Sequence, residues 1–135
     1  MTILYLDSGP VGRLVEGDSV LQKKLRQRTD VGDFLQVPPI VRAEMYAGAG
    51  RSRTLRTRLD QVLRNIAGTP NTVAEGTRAG KLLAATRPSK RPVSMVDALL
   101  AAAAEANHAL LLTDDIDDFA RLRDEAGARV VFARI

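Results

Sequence analysis

Two uninterrupted apolar runs constrain this chain most: Ile3-Leu4-Tyr5-Leu6 near the start and Ala109-Leu110-Leu111-Leu112 near the end. Runs of this kind read as strands buried on both faces, the signature of a parallel sheet covered by helices. Each is followed at once by acids, Asp7-Ser8-Gly9-Pro10 in one case and Thr113-Asp114-Asp115-Ile116-Asp117-Asp118 in the other. Phe34, Leu35 and Val37, stopped by Pro38-Pro39, predict a shorter strand, and Val130-Val131-Phe132 a last one at the sheet edge. Helical patterns separate them, so the economical arrangement is a three-layer α/β/α fold around a mostly parallel sheet of four to five strands. In such sheets ligands bind beyond the carboxyl ends of the strands, which is where Asp7 and the Thr113–Asp118 group stand.

The helical segments carry two further acids. Pro39 suits the first turn of a helix running to about Gly48. At about 100° per residue, Glu44 falls roughly 40° from Ile40 and 60° from Val41, within a stripe that also holds Met45 and Ala47. A carboxylate there needs an arginine partner, a bound cation or an aqueous cleft. The segment from Ser94 to Asn107 is apolar nearly all round and predicts a buried central helix with Met95, Val96, Leu99 and Leu100 on one side. Asp97 is its only early charge, and Ser94-x-x-Asp97 also fits a capping box.

The remaining segments are plainer. Val11, Leu14 and Val15 mark a short helix after Asp7. Asp18-Ser19 starts another with Leu21 and Leu25, whose Lys23, Lys24, Arg26 and Arg28 read as a solvated face. Leu55, Leu59, Val62, Leu63 and Ile66 share one helix face. Gly68-Thr69-Pro70-Asn71 is a turn, with room for a very short strand, before a helix from about Val73 to Ala85. Gly76 to Lys81 looks like a phosphate loop but is one residue short, has Leu82 in place of Ser/Thr, and follows no strand. Thr86 to Pro92 is a basic loop punctuated by prolines; its Arg87, Lys90 and Arg91 are candidate RNA contacts. The lone histidine, His108, reads as a turn or surface residue, since a metal-bound one wants companions.

A length of 135 residues suits a single domain, 1–135. The absence of Cys excludes disulfides, thiolate metal sites and cysteine nucleophiles. No run approaches the ~18 apolar residues of a membrane span, and no basic segment precedes the first run, so neither a membrane anchor nor a signal peptide is expected and the location is expected to be cytoplasmic. A net charge of +4 and a pI near 10.0 favour polyanionic partners.

Carboxylates without His or Cys form the ligand set of a hard cation, Mg²⁺ or Mn²⁺. Four acids within the five residues Asp114–Asp118 exceed what capping a helix needs, and repel one another unless solvent or a cation intervenes. The order Asp7-Ser8, Val41-x-x-Glu44-Met45, Val96-Asp97-Ala98-Leu99-x-Ala101-Ala102 and Thr113-x-Asp115-x-x-Asp118-Phe119 resembles the PIN domain over essentially the whole chain. More closely, it is similar to the VapC toxins of bacterial toxin–antitoxin pairs.

That resemblance implies a Mg²⁺-dependent endoribonuclease, with Mn²⁺ as an alternative ion, usually dimeric and inhibited by a VapB-type antitoxin whose tail occupies the cleft. By position Asp7, Glu44, Asp97 and Asp115 match the family's four acids as metal ligands and catalytic groups. Asp118 matches a further acid, and Thr113 or Ser8 would orient a ligand or water. Asp114 and Asp115 compete for one place; Asp115 keeps both the Thr113 and the Phe119 spacing. A non-catalytic RNA- or partner-binding module and a housekeeping PIN nuclease are the competing functions. A dehalogenase-like phosphatase wants a second Asp where Gly9 stands, and a receiver wants an acid pair after the first strand.

Overall fold

The computed structural model describes all residues, 1–135. Four strands, β1 (Ile3–Leu6), β2 (Phe34–Gln36), β3 (Leu110–Leu112) and β4 (Val131–Ala133), form one sheet in the order β2-β1-β3-β4, parallel throughout. The apolar runs take the two central places, where both faces are covered: Leu4, Tyr5, Leu6, Leu111 and Leu112 are at most 3% exposed. The expected extra strand around Gly68 is a single bridge between Gln36 and Ala67. Residues 68–71 hold a turn-rich, proline-bearing sequence that cannot extend a ladder.

Seven helices flank the sheet: α1 (Ser8–Val15), α2 (Ser19–Asp30), α3 (Pro39–Ala49), α4 (Arg53–Leu63), α5 (Val73–Ala85), α6 (Met95–Ala106) and α7 (Ile116–Ala126). Their starts follow the capping chemistry of the sequence. Asp18 accepts from Leu21 N at 3.0 Å, Ser52 from Leu55 N at 3.2 Å, and Thr72 from Glu75 N at 3.1 Å. Gly127 ends α7 in the left-handed region, φ 74°, with its N–H on the Arg123 carbonyl and that of Ala128 on Leu122.

Two faces differ from the pattern read in the sequence. On α6 Ala98, Leu100, Ala101, Ala102, Ala103 and Ala104 are buried all round the helix, as its apolar composition predicts, while Met95, its first residue, is 64% exposed and Leu99 half-buried. Small side chains let α5 pack closely along α6. On α3 only Val41 is buried; Glu44 and Ala47 are exposed and Met45 is half-buried. Within the stripe Val41 is in the core with Ile40 and Met45 packed against it, while Glu44 faces a hollow at its margin. Likewise Leu55 is 41% exposed, and Ile66 lies past the end of α4.

The strand order places the reversal of chain direction between β1 and β3: from β1 the chain crosses to β2 on one side, then returns to β3 on the other. A crevice opens at the carboxyl ends of strands at such a switch point. Asp7 follows β1 and Thr113 follows β3, so both line it. No helix is long and apolar enough to cross a membrane.

Candidate active site

Asp7 is held from three directions. Its backbone N–H donates to the Leu112 carbonyl at 3.0 Å, continuing the β1–β3 ladder. Its Oδ1 accepts from Ser8 N at 2.7 Å and its Oδ2 from the Thr113 hydroxyl at 2.7 Å. Asp7 thus caps α1 and also walls the crevice, at 4% exposure. Thr113 is fully buried, and its hydroxyl accepts the Asp115 N–H at 2.9 Å. One hydroxyl therefore aligns the acid after β1 with the acidic turn after β3.

Asp115 occupies the N-cap position of α7 yet makes no side-chain capping bond. Its carboxylate turns toward Asp97 and Asp118 instead, and one oxygen from each of these three lies within 4.8 Å of the others. Asp118 reaches the group from the first turn of α7, three residues on from Asp115 and so on the same helical side. Asp97 reaches it from α6. The Ser94 hydroxyl accepts the Asp97 N–H at 3.1 Å. No reciprocal bond ties the Asp97 carboxylate to the backbone, so the capping box is half made and the acid is left free.

Glu44 and Asp114 stand apart. Glu44 is exposed at the rim of a hollow of about 250 Å³ lined by Gly12, Val15, Met45, Ala49, Leu55 and Leu59 among others. Asp114 faces away from the three acids and pairs with Arg13 at 3.3 Å. Its carboxylate lies so close to α1 that a Cβ on Gly9 would come within 2.5 Å of Oδ2. That contact gives Gly9 a packing reason.

The field around the acids is negative and is offset only in part, by the charge of Arg121 acting on Asp118. No Lys or Arg forms a salt bridge with Asp7, Glu44, Asp97, Asp115 or Asp118; the arginines pair with acids elsewhere, at Asp18, Asp33, Glu105, Asp114, Asp124 and Glu125. Burial, then the charges of Asp7 and Asp115, push the Asp97 carboxyl up to about 8. Burial also raises Asp118, with Asp115 adding to it, and raises Asp7 against the opposing hydrogen bonds from Thr113 and Ser8. Glu44, exposed as a residue, is raised by partial desolvation of its carboxyl and by the charge of Asp7, with the Ser8 hydroxyl beside it pulling the other way. Such a cluster holds excess protons or a cation. Its donors are all carboxylate oxygens, which fit a hard divalent ion.

The PIN domain family model matches residues 4–125. This chain belongs to the PIN domain family. No curated protein matches its sequence. Among solved structures, this PIN domain is similar to VapBC2 from Rickettsia felis bound to a promoter DNA fragment, with TM-score 0.84, 18% identity and 99% of each chain covered. It is also similar to DNA-bound VapBC from Salmonella typhimurium, with TM-score 0.79, 15% identity and 99% and 98% covered. A third is VapC20 from Mycobacterium tuberculosis, a sarcin-ricin loop cleaving toxin, with TM-score 0.64, 17% identity and 87% and 93% covered. At these identities the likeness is one of fold.

Within this PIN domain the acids named from the sequence are therefore grouped unevenly. Asp97, Asp115 and Asp118 form the tight trio, Asp7 adjoins it through Thr113, and Glu44 lies outside at the rim. The i, i+3 spacing of Asp115 and Asp118 is the signal in the sequence for that pair. Ser8 stands between Asp7 and Glu44. Of the basic loop, Arg91 lines a polar crevice of about 530 Å³ with Ser89, Pro92, Asp115, Asp117, Asp118 and Arg121. Nothing in the sequence marks Arg121 except its i, i+4 spacing from Glu125. A hollow of about 580 Å³ between α1, α2 and α4 holds no acid trio and lies away from these groups. His108 is an exposed turn residue with φ 52°.

Proposed function

We propose that this PIN domain is a divalent-cation-dependent endoribonuclease and the toxin half of a toxin–antitoxin pair of the VapC type. The observation that carries the reading is the trio Asp97, Asp115 and Asp118, with oxygens within 4.8 Å and no cationic side chain paired to any of them. Mg²⁺ or Mn²⁺ suits an all-carboxylate set. When bound, such an ion supplies water of lowered pKa and neutralises charge that builds on a phosphate during hydrolysis.

The protein's own part divides by position. Asp97, Asp115 and Asp118 hold the ion, and Asp7, fixed by Ser8 and Thr113, completes the negative wall on the β1 side. Thr113 keeps Asp7 and Asp115 in register at no cost in charge. Glu44, exposed and with raised proton affinity, is suited to take the proton from an attacking water or to orient it. The basic exterior retains the RNA backbone near an acidic pocket.

The named complexes among the structural neighbours support a VapB-type antitoxin as partner, and the hollow beside Glu44, lined by Met45, Leu55 and Leu59, is a seat for part of it. Assembly as a homodimer and as a hetero-oligomer with that antitoxin, in the cytoplasm, completes the reading. The test is cleavage of a structured RNA by wild type, Asp97→Asn and Asp7→Asn, each with Mg²⁺ or Mn²⁺ and with EDTA. Activity is expected only for wild type with metal. Cleavage that persists in EDTA, or in folded Asp97→Asn, overturns the assignment.

A further inference from the structure

The loop 86–92, between α5 and α6, is strapped to α7 by one guanidinium. Arg121 donates from Nη1 to the Arg91 carbonyl at 2.8 Å, from Nη2 to the Arg87 carbonyl at 3.0 Å, and from Nε to the Glu125 carboxylate at 3.0 Å. Glu125 in turn accepts the Arg87 backbone N–H at 2.8 Å. Two side chains one helical turn apart thus grip the loop at both ends, and only through its main chain. The side chains of Arg87, Lys90 and Arg91 are left exposed, and none forms a salt bridge.

This placement is specific to the acidic trio. Arg121 follows Asp118 by three residues on α7, so the strap and the acid project from one helical side. Asp115 and Asp118 share the lining of the polar crevice with Arg91, Ser89 and Arg121, and Arg87 and Lys90 belong to the same gripped loop just outside that lining. Unpaired cations on a loop held beside a carboxylate site suit a polyanion whose next charge lies beyond the reacting one. A planar fork reaches two carbonyls and a carboxylate together, which an ammonium cannot do.

We propose that Arg87, Lys90 and Arg91 form a subsite for the RNA phosphate next to the scissile one, and that Arg121, with Glu125, is the positioning residue that holds this subsite over the acids. The proposal rests on the nuclease reading above. The subsite itself is tested by binding, with cleavage measured separately.

Binding of a single-stranded RNA oligonucleotide is measured in EDTA over a range of KCl for wild type, Arg121→Lys, and the triple variant Arg87→Gln, Lys90→Gln, Arg91→Gln. Each phosphate contact to a single strand contributes about 0.7 to the salt slope, so the triple variant, which loses one such contact, is expected to lose about 0.7 from it and to bind about tenfold more weakly at low salt. Arg121→Lys keeps the net charge; it is expected to weaken binding severalfold and, in cleavage assays with Mn²⁺, to raise KM while kcat changes little. A merely structural strap would lower the melting temperature and leave the salt slope alone. A folded triple variant with wild-type affinity and slope overturns the subsite, even if wild type cleaves RNA. Salt-dependent binding lost in the triple variant, with no cleavage by wild type, supports the subsite and overturns the nuclease reading. Wild type that neither binds nor cleaves overturns both.

Discussion

The Thr113 hydroxyl donates to the Asp7 carboxylate at 2.7 Å, joining residues 106 positions apart in the chain at the ends of neighbouring strands. Because the same oxygen accepts the Asp115 N–H, Thr113 sets the acid after β1 against the turn that opens α7. Thr113→Val keeps the shape and removes both bonds, leaving a buried carboxylate short of a donor. It is expected to cost about 1–3 kcal/mol in urea unfolding and to raise the Asp7 carboxyl further. Thr113→Ser is expected to retain most of the stability. Equal loss in both variants would locate the effect in packing instead.

The metal-free protein is expected to lose stability as pH rises from about 4 to about 8. Asp97, at about 8 in the fold, and Asp7, Glu44 and Asp118, all raised, bind more protons folded than unfolded across that window. Their stabilising share is full below the unfolded carboxyl value and gone above the folded one. Acids lowered by arginines, such as Glu105 and Asp33, act in the opposite sense, and only toward lower pH. Thermal melts in EDTA should show the decline, Asp97→Asn should remove much of it, and saturating Mn²⁺ should flatten it. A melting temperature that climbs from pH 5 to 8 in EDTA contradicts the electrostatics described.

Asp114 and Asp115 are neighbours with different surroundings, since one pairs with Arg13 and the other faces Asp97 and Asp118. Asp115→Asn is expected to weaken Mn²⁺ binding by about tenfold or more, the scale on which disturbed metal sites respond, whereas Asp114→Asn leaves it nearly unchanged. Calorimetric titration of both variants decides between them. The reverse ranking would exchange their roles.

The exposed start and the buried middle of α6 offer a packing test. Ala101 is fully buried, so Ala101→Leu forces methyl groups into a filled contact and is expected to cost about 1–3 kcal/mol or more. Met95→Lys, at an exposed position, should stay within about 0.5 kcal/mol of wild type. Chemical unfolding of the two variants is the check, and a larger loss in Met95→Lys would mean that the start of the helix is covered after all.

Much of this architecture is written locally. An apolar run of four residues has one stable home, inside a covered sheet, and the strand ends at Asp7 and Thr113 follow from where the apolar character stops. Helix starts at Asp18, Ser52, Thr72 and Ser94 follow from side chains that bond the nearest free N–H groups, within three residues. These interactions are short-range, so composition and spacing are enough to reveal them. The positions of acids along the chain, and their likeness to a family, were legible for the same reason.

What the tertiary structure alone decided is which of those acids meet. Whether Asp97 completes a capping box or leaves it depends on Asp115 and Asp118 arriving from another helix. Whether Glu44 lies in a core stripe or at a rim depends on what packs against α3. That Met95 is left exposed at the start of α6 while the alanines further along are covered depends on where α5 packs. Arg121 acquires two carbonyl partners from a loop some thirty residues earlier in the chain. Each of these is a contact between segments distant in sequence, whose geometry exists only once the sheet has set the strand order.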